Sequence, residues 1–268
     1  MENILAHLSE SIKSGQTHAL VIVIKTEGST PRKAGTNMVV LADGRTLGTI
    51  GGGELEERVI TEALDAIKKR SPKVVSFTLD VEKGKLDMMC GGTVEVYIEP
   101  IIPNPKVFIF GTGHITKALA PLLVHAGFRV KIADDDANLL TGYPLPDVIE
   151  TLTGDLANIA YDLQGDSETY IVLLSRGFSR DRAILENLIT KNFKYIGMIG
   201  SANKIRTMKE DIKKDGVEES AFSKFKAPVG LDIGAETPDE IAISIVAELI
   251  AVRSNKLCLY HCGSPGGP

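Results

Sequence analysis

The chain has 268 residues, 43% of them hydrophobic and 24% charged, with a formal net charge of −5 at pH 7. That balance belongs to a globular protein, and the length allows two ordinary domains with a core each. The acidic charge and the lack of tryptophan exclude a basic, base-stacking surface for nucleic acid, and no apolar run approaches the roughly 20 residues that cross a bilayer.

The opening stretch, MENILAHLSESIK, places Ile4, Leu5, Leu8 and Ile12 on one helical face with acidic residues between, unlike a signal or transit peptide, so a cytoplasmic protein is expected. Residues 19–24 read as a buried strand leading into the polar loop 27–35. Residues 38–42 and 45–50 flank Asp43-Gly44, a dipeptide expected to take the positive φ angles of a two-residue hairpin turn. The second strand runs into Gly51-Gly52-Gly53, and from Glu54 to Lys69 apolar residues recur at helical spacing. Three glycines before a helix either present amides to an anion or only permit a sharp turn. After a strand at 74–79 and a polar loop comes Cys90-Gly91-Gly92, then an alternating strand at 93–98. Cys90 is either a thiol near a ligand or a small buried hydrophobe. Cys258 and Cys262 complete no zinc pattern and no even disulfide framework, and the tail that carries them is expected to be mobile.

Pro100, Pro103 and Pro105 break regular structure three times within a few residues, which places the domain boundary there, with domains at 1–102 and 103–268. The wholly apolar run 107–110 then reads as a strand buried on both faces, ending in Gly111-Thr112-Gly113-His114 and a helix with an apolar stripe. A second strand at 129–133 ends at Asp134, about twenty residues past the glycines, where a carboxylate accepts a ribose hydroxyl in dinucleotide-binding folds or simply caps a loop. Two features depart from that fingerprint: Thr116 occupies the third glycine position, where crowding is expected to push the helix outward, and Pro121 interrupts the helix. Strands at 169–174 and 194–199 alternate with helices at 180–190 and 202–214, so a parallel sheet is expected. Arg176 and Gly200-Ser201 fall at strand ends where open α/β sheets bind ligands, although a lone Arg there is as often a surface ion pair. Thr237-Pro238-Asp239-Glu240 reads as the capped start of a last helix.

Six stretches together resemble the XdhC/CoxI family, and the resemblance covers nearly the whole chain. They are TEGSTPRKAGTNM, GTIGGGELEERV and CGGTVEVYIEP in the first domain, and VFIFGTGHITKALAP, YIGMIGSANK and PVGLDIGAETPDEIAISIVAELIAVR in the second. The resemblance implies a mixed α/β domain followed by a Rossmann-like doubly wound domain. It also implies an accessory role rather than turnover: transient binding of molybdenum cofactor, support of its sulfuration by a cysteine desulfurase, and insertion into a molybdenum hydroxylase of the xanthine dehydrogenase type, by a homo-oligomer such as a dimer. The positions matching its glycine motifs are Gly51, Gly52, Gly53 and Glu54, then Cys90, Gly91 and Gly92, then Gly111, Gly113 and His114. Departures are Thr116 in place of the usual third glycine, Phe178 and Arg180 where many members carry histidines, and Ala202-Asn203 in place of a frequent arginine pair; position 54 is variable in such proteins, and glutamate there leaves no thiol. An NAD(P)-dependent oxidoreductase using the second domain is the alternative, with dinucleotide binding expected to be weak, and a docking protein that holds no cofactor is a third reading.

Overall fold

The structure, a computed structural model, describes residues 4–79, 92–141, 146 and 148–256. Cys90, Gly91, Cys258 and Cys262 lie outside the described residues. The chain divides into two units, Met1–Pro103 and Asn104–Pro268.

The first unit contains α1 (Ile4–Ser14), β1 (His18–Glu27), β2 (Asn37–Leu41), β3 (Thr46–Gly48), α2 (Gly53–Lys69), β4 (Lys73–Thr78) and β5 (Thr93–Ile101). The strands form one antiparallel sheet in the order β3-β2-β1-β5-β4. Alternation decides which face is covered: Ala19, Val21 and Val23 of β1 and Val94, Val96 and Ile98 of β5 point to one side, where they meet Leu55, Val59, Ala63 and Ala66 of α2. Each large side chain of this set contributes roughly 1.5–3 kcal/mol by burial. The β2–β3 turn differs from expectation. Gly44 alone takes a positive φ, because the Asp43 carboxylate accepts the Arg45 amide at 3.0 Å and its Nε at 2.7 Å while the Gly44 amide donates to Leu41 O. The result is a turn closed by one left-handed glycine rather than a pair of positive-φ residues.

The second unit contains β6 (Lys106–Phe110), α3 (His114–His125), β7 (Arg129–Asp134), α4 (Ala137–Thr141), β8 (Glu150–Thr153), α5 (Leu156–Asp162), β9 (Thr169–Leu173), α6 (Phe178–Leu188), β10 (Tyr195–Met198), α7 (Ala202–Lys214), β11 (Phe225–Lys226) and α8 (Pro238–Arg253), with a 3-10 turn at Glu219–Lys224. All six strands are parallel, in the order β11-β10-β9-β6-β7-β8. Renumbered from β6, this is 3-2-1-4-5-6, the doubly wound order that reverses between its first and fourth strands, here β6 and β9. Burial on both faces explains the unbroken apolar runs. Phe108, Phe110, Ile171 and Leu173 pack among the residues of α5, α6 and α7, whereas Val107, Ile109, Tyr170 and Val172 pack against α3 and α8.

The helices begin where the chain supplies a reason. Thr237 accepts the Glu240 amide and Glu240 returns a carboxylate to the Thr237 amide at 2.9 Å, a complete capping box with Pro238 in the first turn of α8. Helix α3 runs unbroken through Pro121.

Candidate functional site

In the first unit three separated stretches meet through glycines. Gly51, Gly52 and Gly53 all have positive φ, at 139°, 75° and 62°, a backbone that residues with a Cβ rarely adopt. A Cβ on Gly51 would lie 2.5 Å from Pro31 Cγ, and one on Gly92 would lie 2.5 Å from both Glu27 O and Ser29 O. The loop 27–32 is therefore wedged against both glycine motifs, with Arg32 Cγ 3.9 Å from the same position on Gly51. Gly52 differs: a Cβ there would meet nothing within 4 Å.

The triple glycine does not present all its amides outward. The Gly52 amide donates to Glu56 Oε2 at 2.9 Å, Thr49 Oγ1 donates to the same oxygen at 2.7 Å, and the Gly51 amide donates to Thr49 Oγ1 at 3.1 Å. Glu56 thus occupies, from within the first turn of α2, the position an anion takes at a helix N-terminus. Glu54 is exposed beside it. Sequence reading missed Thr49, Glu56 and Arg32 as parts of this region; Glu56, four residues past Gly52 and acidic in the first turn, was the available signal.

In the second unit the switch point lies at the carboxyl ends of β6 and β9. Gly111 has φ 107°, and a Cβ there would stand 2.8 Å from the Leu174 carbonyl and from Ser175 Cα. The ends of the two strands can approach this closely only over a glycine. Gly113 caps α3 with φ −72°, no side-chain cap and nothing within 4 Å of a Cβ position; His114 is exposed. Thr116 is not the wedge its size led us to expect. It is 1% exposed, and its hydroxyl donates to Gly111 O at 2.7 Å, tying the first turn of α3 to the glycine turn.

Asp134 is 5% exposed and already engaged: Oδ2 accepts the Thr112 amide at 2.8 Å and the Thr112 hydroxyl at 2.6 Å, and Oδ1 accepts the Asp136 amide at 3.1 Å. Burial pushes this carboxyl up, but hydrogen bonds from Thr112 Oγ1, the Asp136 amide and the Thr112 amide together hold it below the ordinary value. A group with a lowered folded-state pKa adds stability above its unfolded pKa and loses it as pH falls through the folded one. Asp134→Asn is therefore expected to melt below wild type at pH 7, with the gap closing as pH falls below about 4. Melting curves of both proteins from pH 7 to 3 check this, and a gap that does not change with pH would contradict it.

Arg176 is exposed at the end of β9. Ser175, 7% exposed, donates to Asp181, 1% exposed, whose other oxygen accepts Lys204 of α7. Ser201 caps α7 by accepting the Lys204 amide at 3.4 Å, next to Gly200. Arg180 pairs with Asp135 at 2.7 Å across the same edge. The strand order brings Gly111, Asp134, Ser175-Arg176 and Gly200-Ser201 to neighbouring strand ends, and Asp181 with Lys204 forms an internal ion pair beneath them that composition alone did not disclose.

A doubly wound domain with a glycine turn at its switch point, preceded by an antiparallel α/β unit, defines a two-unit protein of nucleotide-fold type. Residues 107–249 match the family described as the XdhC Rossmann domain, and residues 11–78 match that described as the XdhC and CoxI family. The chain belongs to the XdhC and CoxI family. It is 31% identical to the uncharacterized protein YqeB of Escherichia coli over 99% of this chain and 47% of that protein, so it spans about half the length of that relative. It is 23% identical to the molybdenum cofactor insertion chaperone PaoD of Escherichia coli, over 93% of this chain and 88% of that one. Its fold is similar to a crystal structure of a xanthine dehydrogenase from Bacillus halodurans, with a TM-score of 0.51 and 21% identity over 97% and 98% of the two chains. Among the described residues no helix is long and apolar enough to cross a membrane.

Proposed function

We propose that the chain is an accessory protein of a molybdenum hydroxylase of the xanthine dehydrogenase type, which takes up molybdenum cofactor as cargo, supports its sulfuration by a cysteine desulfurase and delivers it to the apo-enzyme, acting as a cytoplasmic homo-oligomer. The observation that carries this reading is the likeness to PaoD along nearly the full length of both chains. The site geometry supports it. A Cβ on Gly52 would meet nothing within 4 Å, which leaves room beside that loop, and Arg32 beside Gly51 offers a cation to an anionic ligand.

The engaged amides bear on affinity. With the Gly51 and Gly52 amides held by Thr49 and Glu56, an anion would have to displace Glu56 or use fewer contacts. That favours moderate binding, on the order of micromolar or about −8 kcal/mol, which suits a carrier that must release. The oxidoreductase alternative gains no support from Asp134, whose oxygens already serve Thr112 and Asp136. The test is transfer: cofactor-loaded protein is mixed with a cofactor-free molybdenum hydroxylase and substrate turnover is followed. Activation that scales with the pterin delivered is expected. Activation by protein that carries no pterin would replace the carrier reading with docking.

A further inference from the structure

The second unit contains a polar group that neither the switch point nor the first-unit glycines use. Glu248 of α8 is fully buried. Its Oε2 accepts the Tyr195 hydroxyl at 2.5 Å and the Gly230 amide at 2.6 Å, which fills both lone pairs of that oxygen. Its Oε1 has no hydrogen-bond partner. A carboxylate oxygen sealed in the interior without a donor is costly, and such a group in a native fold calls for an explanation.

Glu248 lines a cavity of about 980 Å³ at the carboxyl ends of β10 and β11, formed between α8 and the loop 228–235. The size is at the upper end of small-molecule sites. Ile199, Val229, Leu231 and Ile241 give it apolar walls. Its charged lining is Glu248 and Asp232 against Lys226, a balance that does not draw an anion to the buried carboxylate.

The covering loop is pinned at one end. Val229 N donates to Met198 O, Leu231 N donates to Ser244 O, and Gly230, at φ 101°, lies so close to α8 that a Cβ would overlap Ser244 Oγ. Beyond Leu231 the loop carries Ile233, 55% exposed, and Gly234 at φ 73° before the α8 cap. Oε1 itself is closed off, so a ligand meets it only once residues 232–235 move while Gly230 stays anchored.

We propose that this cavity binds a planar heterocycle through a ring-edge N–H donated to Glu248 Oε1, the chemistry of a 2-amino-4-oxopyrimidine ring as found in pterins and guanine. Apolar walls suit the ring faces, a buried acceptor with no paired cation suits a neutral N–H edge, and a phosphate or carboxylate is repelled from the same oxygen. In its pterin form the inference rests on the carrier reading and gives that cargo a ring site in the second unit.

The test uses the full chain, titrated separately with pterin and with guanosine, following pterin fluorescence and guanosine calorimetry. Two variants accompany it. Glu248→Gln keeps an acceptor for Tyr195 and Gly230 but places an N–H₂ where Oε1 stood, and Ala235→Phe fills the cavity from the loop without touching Glu248. Saturable binding of pterin or guanosine by the wild type is expected, weakened at least tenfold by each variant, with melting temperatures within a few degrees of wild type. Binding of guanosine but not pterin upholds the ring site and removes the cargo from it. If the wild type binds neither, or if both variants bind as the wild type does, the inference is overturned. Equal retention of molybdenum cofactor by the wild type and both variants overturns the pterin form of the inference, while leaving the carrier reading in place.

Discussion

Gly111→Ala is expected to cost the second unit most of its stability. Two costs combine at this position. The backbone stands at φ 107°, which an L side chain rarely adopts, and the new Cβ would fall 2.8 Å from the Leu174 carbonyl and Ser175 Cα. Those neighbours are backbone at the end of a central strand, paired along its length with β6 and β10, and cannot swing aside as a side chain can. A loss of about 4 kcal/mol or more is expected, a large share of the 5–15 kcal/mol that holds an ordinary domain folded. Gly113→Ala, two residues on, is the control. Its φ of −72° is ordinary and its Cβ position is empty, so about 1 kcal/mol or less is expected. Urea unfolding of the two variants separates them, and equal midpoints would show that the close approach at Gly111 does not constrain the switch point.

Gly92→Ala is expected to have the second largest effect, for a different reason. No positive φ is involved; the obstacle is two carbonyl oxygens, Glu27 O and Ser29 O, each 2.5 Å from the added carbon. Either the loop 27–30 lifts off or the start of β5 does. Both disturb the place where the loop meets the glycines, so a loss of about 3 kcal/mol is expected. Greater susceptibility to proteolysis at 27–32 should accompany it. A variant that melts within about 0.5 kcal/mol of wild type, with that loop no more easily cut, would show that the convergence is loose.

The sequence disclosed the fold class because local signals agreed with one another. The strand β6, apolar throughout, the glycine turn and the striped α3 could be read together, as could the capped start of α8. Several short elements were not legible, β8, α5 and β11 among them. β8, whose four residues are all exposed, is an edge strand and carries no apolar pattern. α5 is a seven-residue helix begun by Asp155, too short for a periodic stripe, and β11 has only two residues.

At the candidate site, residue type was legible and partnership was not. The glycines stood out, but whether each marks an open cradle or a closed approach depends on neighbours far along the chain: Gly92 on the loop 27–30, Gly111 on Leu174, and Gly52 and Gly113 on open space. Glu248 was hidden for the same reason. Inside a helix that is apolar on most sides it reads as one surface charge, and only folding brings Tyr195, 53 residues away, to its carboxylate.

The most direct test of the central claim is retention. The protein is made in a host that synthesises molybdenum cofactor and passed gently through gel filtration, and its fractions are oxidised and read for pterin fluorescence. The carrier account expects pterin to elute with the protein in substantial molar fraction, and to diminish when Gly52 or Gly113, where an added Cβ meets nothing within 4 Å, is replaced by a bulky residue. Fractions free of pterin, together with sub-micromolar binding of NADH or NADPH in a calorimetric titration, would contradict the account and favour an oxidoreductase.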